Sequence, residues 1–149
     1  MTEPSRISAP LVIEYPFTRT TGPVIGAFLT GLRERIILGV RRADGSVLVP
    51  PTEYDPQTSE PLGELVEVGQ QGTVVSWTWS PTARPQQRWG RPIGWGLVLL
   101  DGADTPMMHA LLVDGPEHLS TGMRVEARWR EDREGQINDL EGFVPVSRP

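Results

Sequence analysis

From Met123 to Arg130 the chain alternates without interruption: Met123, Val125, Ala127 and Trp129 against Arg124, Glu126, Arg128 and Arg130. A period of two belongs to a strand with one face buried and the other in water. Shorter stretches of the same pattern recur from Glu64 onward. Residues 73–79 set Val75, Trp77 and Trp79 against Val74, Ser76 and Thr78, and residues 93–100 set Ile93, Trp95, Leu97 and Leu99 against a face carrying Gly94 and Gly96. Residues 107–113 follow the turn Asp101-Gly102-Ala103-Asp104, and residues 136–144 follow a polar turn at 131–135. Between the third and fourth of these strands, residues 115–122 have room for a single helical turn.

The preceding part of the chain reads differently. Residues 1–22 carry prolines and no sustained period, so they read as an extended arm. Its Leu11, Val12, Ile13, Tyr15 and Phe17 need the domain or a partner to lie against. Thr20, Thr21 or Gly22 can cap a helix that Pro23 opens, and Ile25, Phe28, Leu29 and Leu32 then fall on one stripe. Gly26 and Gly31 each weaken such a helix by about 1 kcal/mol, so it needs docking. Next comes a hairpin, 35–40 and 47–49 around Asp44-Gly45, and a turn-rich loop at 52–63. The expected architecture is mainly β: an arm at 1–22, a helix plus hairpin at 23–63, and a five-stranded OB-type Greek-key barrel at 64–149. Periodicity alone leaves an SH3-like barrel or an open sandwich open.

Composition narrows the chemistry. The chain has no cysteine, which excludes disulfides, thiolate metal ligands and a cysteine nucleophile. Its 14 basic residues are all arginine, as a GC-rich coding sequence produces, and they face 19 acids for a net charge of −5. That balance argues against a dedicated nucleic-acid binder. No apolar run is long enough for a membrane span. The first residues lack a basic start followed by an apolar core, so a cytoplasmic protein without signal peptide is expected.

The ordered set GQQGTVVSWTW, RPIGWGLVLLDGADTPMMHALL, LSTGMRVEARW and GFVP resembles the zinc-ribbon OB-fold proteins of acyl-CoA metabolism. The likeness is strongest to members that accompany lipid-transfer-protein-like thiolases, and it covers about residues 15–145. It implies an N-terminal helix, a rubredoxin-like ribbon and a C-terminal OB fold. It also implies a non-catalytic partner subunit of a thiolase, a thiolase-like aldolase or a MaoC-type hydratase, in a hetero-oligomer acting on steroid or fatty acyl-CoA thioesters. Catalytic residues are expected in the partner. Where the family carries its first Cys-x-x-Cys knuckle, this chain has Arg41-Arg42-Ala43-Asp44, and near the second it has Glu53, Tyr54 and Asp55. The expectation is a ribbon retained as a hairpin with its zinc lost, no cofactor, and acyl-CoA as the one candidate ligand.

Four of the five tryptophans, Trp77, Trp79, Trp89 and Trp95, lie close together in sequence with Arg84, Arg88 and Arg91, and residues 68–100 contain no carboxylate. Aromatic faces beside guanidinium groups suit a CoA phosphate or adenine, or single-stranded nucleic acid. Strand periodicity favours sheet packing for Trp77, Trp79 and Trp95. Trp89, on a loop, suits either an interface anchor or docking onto its own barrel. Phe28 and Leu32 of the helix complete the candidate partner-binding set. His109, His118, Asp101 and Asp104 form no catalytic spacing, and DGAD lacks the length of a calcium loop. The alternating charges of 124–134 read as a solvated face. The alternatives are a free-standing OB module carrying acyl-CoA or lipid in its barrel, and an OB-type single-strand nucleic-acid binder.

Overall fold

The computed structural model describes residues 8–16 and 20–146. Helix α1 spans Pro23–Arg33 and buries Val24, Phe28 and Leu32. Its N-terminal N–H groups are satisfied from 29 residues away: Glu53 Oε1 accepts from Val24 N at 2.9 Å and from Ile25 N at 2.8 Å. A carboxylate there meets the positive end of the helix, so neither threonine has to cap it. At the other end Arg133 Nε donates to the Arg33 carbonyl at 2.8 Å, which ties the helix to the barrel.

Strands β1 (Ile37–Arg41), β2 (Val47–Leu48) and β3 (Leu65–Val68) form an antiparallel sheet in the order β2-β1-β3. The turn between β1 and β2 places Gly45 at φ 87°, a conformation that glycine adopts at little cost. The free edge of β2 is clipped to the barrel by the DGAD turn. Val47 N donates to Asp104 Oδ2 at 2.7 Å, and Val49 N donates to Thr105 Oγ1 at 2.9 Å. Asp101 accepts both arms of Arg124, at 2.8 and 2.6 Å. The two aspartates of this turn are thus structural ligands of the protein itself.

Strands β4 (Gln71–Ser80), β5 (Ile93–Leu100), β6 (Met107–Leu111), β7 (Arg124–Trp129) and β8 (Leu140–Pro145) close into a barrel in the order β4-β5-β6-β8-β7. Neighbours are antiparallel except β6 and β8, which meet in parallel through Leu111 and Phe143. A single 3-10 turn, Pro116–His118, lies between β6 and β7. This is the OB fold that the strand count predicts.

The interior of the barrel corrects the face assignment on two strands, β5 and β4. On β5 the inward residues are Gly94, Gly96, Val98 and Leu100, all buried, while Leu97 is 38% exposed. A Cβ on Gly96 would meet Leu111 Cδ1 at 2.6 Å, and one on Gly94 would meet Leu119 Cδ1 at 2.9 Å. The glycines make room for leucines of the neighbouring strand β6 and of the turn that precedes β7. On β4 the pairing slips between Val74 and Ser76, so Val74 is inward, Val75 is 44% exposed, and Trp77 and Trp79 return to the core. Phe143, Leu111, Val98, Met107 and Val125 fill the remaining interior.

Candidate functional site

The twelve-residue connection between β4 and β5 is held against its own barrel. Arg88 Nη1 donates to the Asn138 carbonyl at 2.5 Å, and its Nη2 donates to the carbonyls of Leu140 at 2.8 Å and Glu141 at 2.7 Å. Trp89 Nε1 donates to the Glu141 carbonyl at 3.2 Å. Its ring meets Trp95 edge-on at 5.4 Å and covers Ile93, Ala110 and Leu112, while the Arg88 guanidinium sits 4.5 Å above it. Trp89 is thus docked onto its own barrel, with part of the ring left exposed. Arg91 Nη1 donates to the Val113 carbonyl at 3.0 Å.

The fold-back leaves an open cleft of about 540 Å³ lined by Arg88, Trp89, Arg91, Leu112, Arg128, Arg130, Asn138 and Glu141. Four guanidinium groups share it with one carboxylate, on a chain whose net charge is −5. Burial lowers the pKa of Arg88 and the like charge of Arg130 lowers it further, against the pull of Glu141. Sequence reasoning missed Arg128 and Arg130. They occupy the outward positions of an alternating strand, and only the pairing of β7 with β8 carries them to the 88–91 segment.

The other expected site residues are elsewhere. Arg84 lines a separate cleft of about 480 Å³ with Thr78, Trp79, Gln87 and Trp95. Trp77 packs against the core. Phe28 and Leu32 are 4% and 0% exposed, which corrects their assignment as partner contacts: the chain's own core takes that stripe. His109 is buried against Phe143, with ring centroids 6.0 Å apart. Burial, aided by Arg88, pushes its pKa down to about 4, so it is neutral at pH 7.

The knuckle positions of the ribbon hold an ion pair. Arg42 Nε and Nη2 reach the two carboxylate oxygens of Asp55 at 2.8 and 3.2 Å, and Gln57 N and Thr58 N donate to the same carboxylate at 2.8 and 3.2 Å. Asp55 is buried, and the Arg42 guanidinium, with those backbone donors, holds its pKa down at about 2. These residues do not fit a tetrahedral zinc, because a cation stands where donors are needed and its one carboxylate partner is already engaged. Among the described residues no group of three or more His, Asp or Glu is placed to hold a metal ion.

Against known proteins, residues 65–130 match the family model for the ChsH2 C-terminal OB-fold domain. No curated protein matches the chain. Among solved structures, a chain of the Ltp2-ChsH2(DUF35) aldolase aligns with TM-score 0.62 at 21% identity, covering 87% of this chain and 100% of that one. A DUF35-family protein of unknown function from Sulfolobus solfataricus aligns with TM-score 0.60 at 16% identity, covering 84% and 85%. Both share the fold. The family match runs from β3 to β7, so the likeness to the ChsH2 C-terminal OB-fold domain lies in the barrel segment of this chain.

Proposed function

We propose that the chain is a non-catalytic partner subunit of a thiolase-like enzyme acting on acyl-CoA thioesters of steroid or lipid breakdown. The observation that carries this reading is the arm. Leu11, Val12, Ile13 and Tyr15 are 84, 72, 65 and 77% exposed, so the chain's own domain does not cover them. Phe17 lies outside the described residues. Consecutive apolar side chains on an extended segment suit a second protein. Val75, Leu97 and Met108 add an exposed apolar patch on the outer face of β4, β5 and β6. The fold neighbour named as an Ltp2-ChsH2(DUF35) aldolase supports a thiolase-like partner over a MaoC-type hydratase. The described residues offer no acid, base or nucleophile set: His109 is buried and neutral, and Asp101 and Asp104 hold backbone and Arg124.

A lipid carried inside the barrel would need space that Phe143, Leu111 and Met107 occupy. The test is co-expression with a thiolase-like protein of the same genome, followed by size exclusion; a shared peak is expected, and deletion of residues 8–16 should split it.

On the same reading the ribbon works without zinc, with the Arg42–Asp55 pair joining the two knuckle loops. Removing one partner of a buried pair leaves the other charge unmatched. Asp55→Ala should therefore lower Tm by several degrees, whereas EDTA should leave the melting curve of the native chain unchanged. Because the pKa of Asp55 is depressed, the contribution of the pair is full above pH 3.8 and is lost as pH falls toward about 2. Stoichiometric zinc in the purified protein, or a melt shifted by EDTA, would contradict this.

A further inference from the structure

We propose that the cleft between the 88–91 segment and strands β7 and β8 binds phosphate groups, those of the nucleotide end of CoA, through Arg88, Arg91, Arg128 and Arg130. The proposal rests on the acyl-CoA reading above and assigns a part of the ligand to this chain.

Charge comes first. Outside the cleft, four of the described arginines are each paired with an acid: Arg33 with Glu34, Arg41 with Glu64, Arg42 with Asp55, and Arg124 with Asp101. In the cleft four guanidinium groups share the lining with a single carboxylate. Arg128 meets Glu141 through Nε at 3.0 Å, and Arg91 meets an exposed Asp114 at 3.5 Å. Arg130 forms no ion pair with a described residue; its charge acts on the buried Asp139 carboxylate and opposes that of Arg88. An anion seated among them removes that repulsion.

Pre-organisation comes second. Three backbone carbonyls and the Trp89 ring fix Arg88, so its guanidinium loses little freedom when a ligand arrives. Arg91, Arg128 and Arg130 keep planar pairs of N–H groups, the geometry that fits phosphate oxygens in pairs, while Arg88 supplies fixed charge.

Lining chemistry then selects which part of the ligand enters. A volume of about 540 Å³ suits a small molecule. Apart from Trp89, already covered by Arg88 and Trp95, Leu112 is the one apolar side chain on its wall. An acyl chain gains nothing there, whereas a 3′-phosphate and a diphosphate do. The acyl end would be left to the partner.

Calorimetry on the full chain at low ionic strength tests this with CoA, 3′-dephospho-CoA, pantetheine and inorganic pyrophosphate. CoA should bind saturably, dephospho-CoA more weakly and pantetheine not at all, with pyrophosphate competing for the site. Loss of one charge-assisted contact should weaken CoA about tenfold in Arg130→Ala and in Arg128→Ala. Arg84→Ala, in the other cleft, should bind CoA as the native chain does. Both cleft variants change exposed side chains, so they should melt like the native chain and still co-elute with the partner; that separates failure of this site from failure of the subunit reading. Equal binding of CoA and pantetheine would overturn the proposal. So would unchanged affinity in both cleft variants, a single-stranded oligonucleotide that binds more tightly than CoA, or no CoA binding to either the free chain or the co-purified complex.

Discussion

Lowering the pH from 7 to 4 should remove about 3 kcal/mol of folding stability through one side chain, His109. In the unfolded chain its imidazole titrates near the ordinary value of 6.5, whereas in the barrel its pKa is pushed down to about 4. Burial is the main cause, and the Arg88 charge adds to it, while a hydrogen bond to the Ile137 backbone pulls the other way. Nδ1 accepts from Ala110 N at 2.9 Å, a bond only an unprotonated nitrogen can make. A depressed histidine binds its proton more readily when unfolded. Its contribution is therefore complete above pH 6.5 and is lost as pH falls through about 4. The depressed carboxylates, Asp44, Asp55, Asp101 and Asp139, start to add to the loss as pH nears their ordinary value of 3.8, so the slope of urea unfolding between pH 7 and 5 isolates the histidine. The variant His109→Gln should show a flat profile across that window. A native profile that is equally flat, or a slope that survives in the variant, would show that His109 is not the group.

Gly96→Val should destabilise the barrel by about 3 kcal/mol, although valine is the better strand former. The Cβ alone would stand 2.6 Å from Leu111 Cδ1, and Leu111 is fully buried with nowhere to move. Leu97→Ser, one residue on, should cost less than about 0.5 kcal/mol, because Leu97 lies on the outer face. Thermal or urea denaturation of the two variants reads the difference. If valine at 96 stabilises and serine at 97 collapses the fold, the inward face of β5 is the opposite one.

That pair also shows where the sequence could be read and where it could not. The uninterrupted alternation of 123–130 gave its strand and its buried face correctly, because each inward position there holds an apolar side chain. On β5 the larger residues are on the outside and glycines are within. The rule that apolar means buried fails there, since a narrow barrel needs little volume from one wall when Leu111 and Leu119 fill it from another. On β4 a single bulge after Val74 reverses the face, and nothing local marks it. The helix stripe was legible, but not what covers it or caps it: Glu53 and the core lie far off in sequence. The same holds for the cleft. Arg88, Trp89 and Arg91 stood out as a local cluster, while Arg128 and Arg130 looked like ordinary solvated charge until β7 and β8 were paired. The absence of cysteine pointed to the knuckles, yet the Arg42–Asp55 pair that joins them spans 13 residues and has no motif of its own.

The central claim, that this chain serves a thiolase-like enzyme instead of performing chemistry itself, is tested most directly by co-expressing the two and weighing the product. Size exclusion with in-line light scattering should give one species containing both chains, with thiolase-type turnover present in the complex and absent from this chain alone. Two separate species at micromolar concentration, or turnover of an acyl-CoA by the isolated chain, would contradict it.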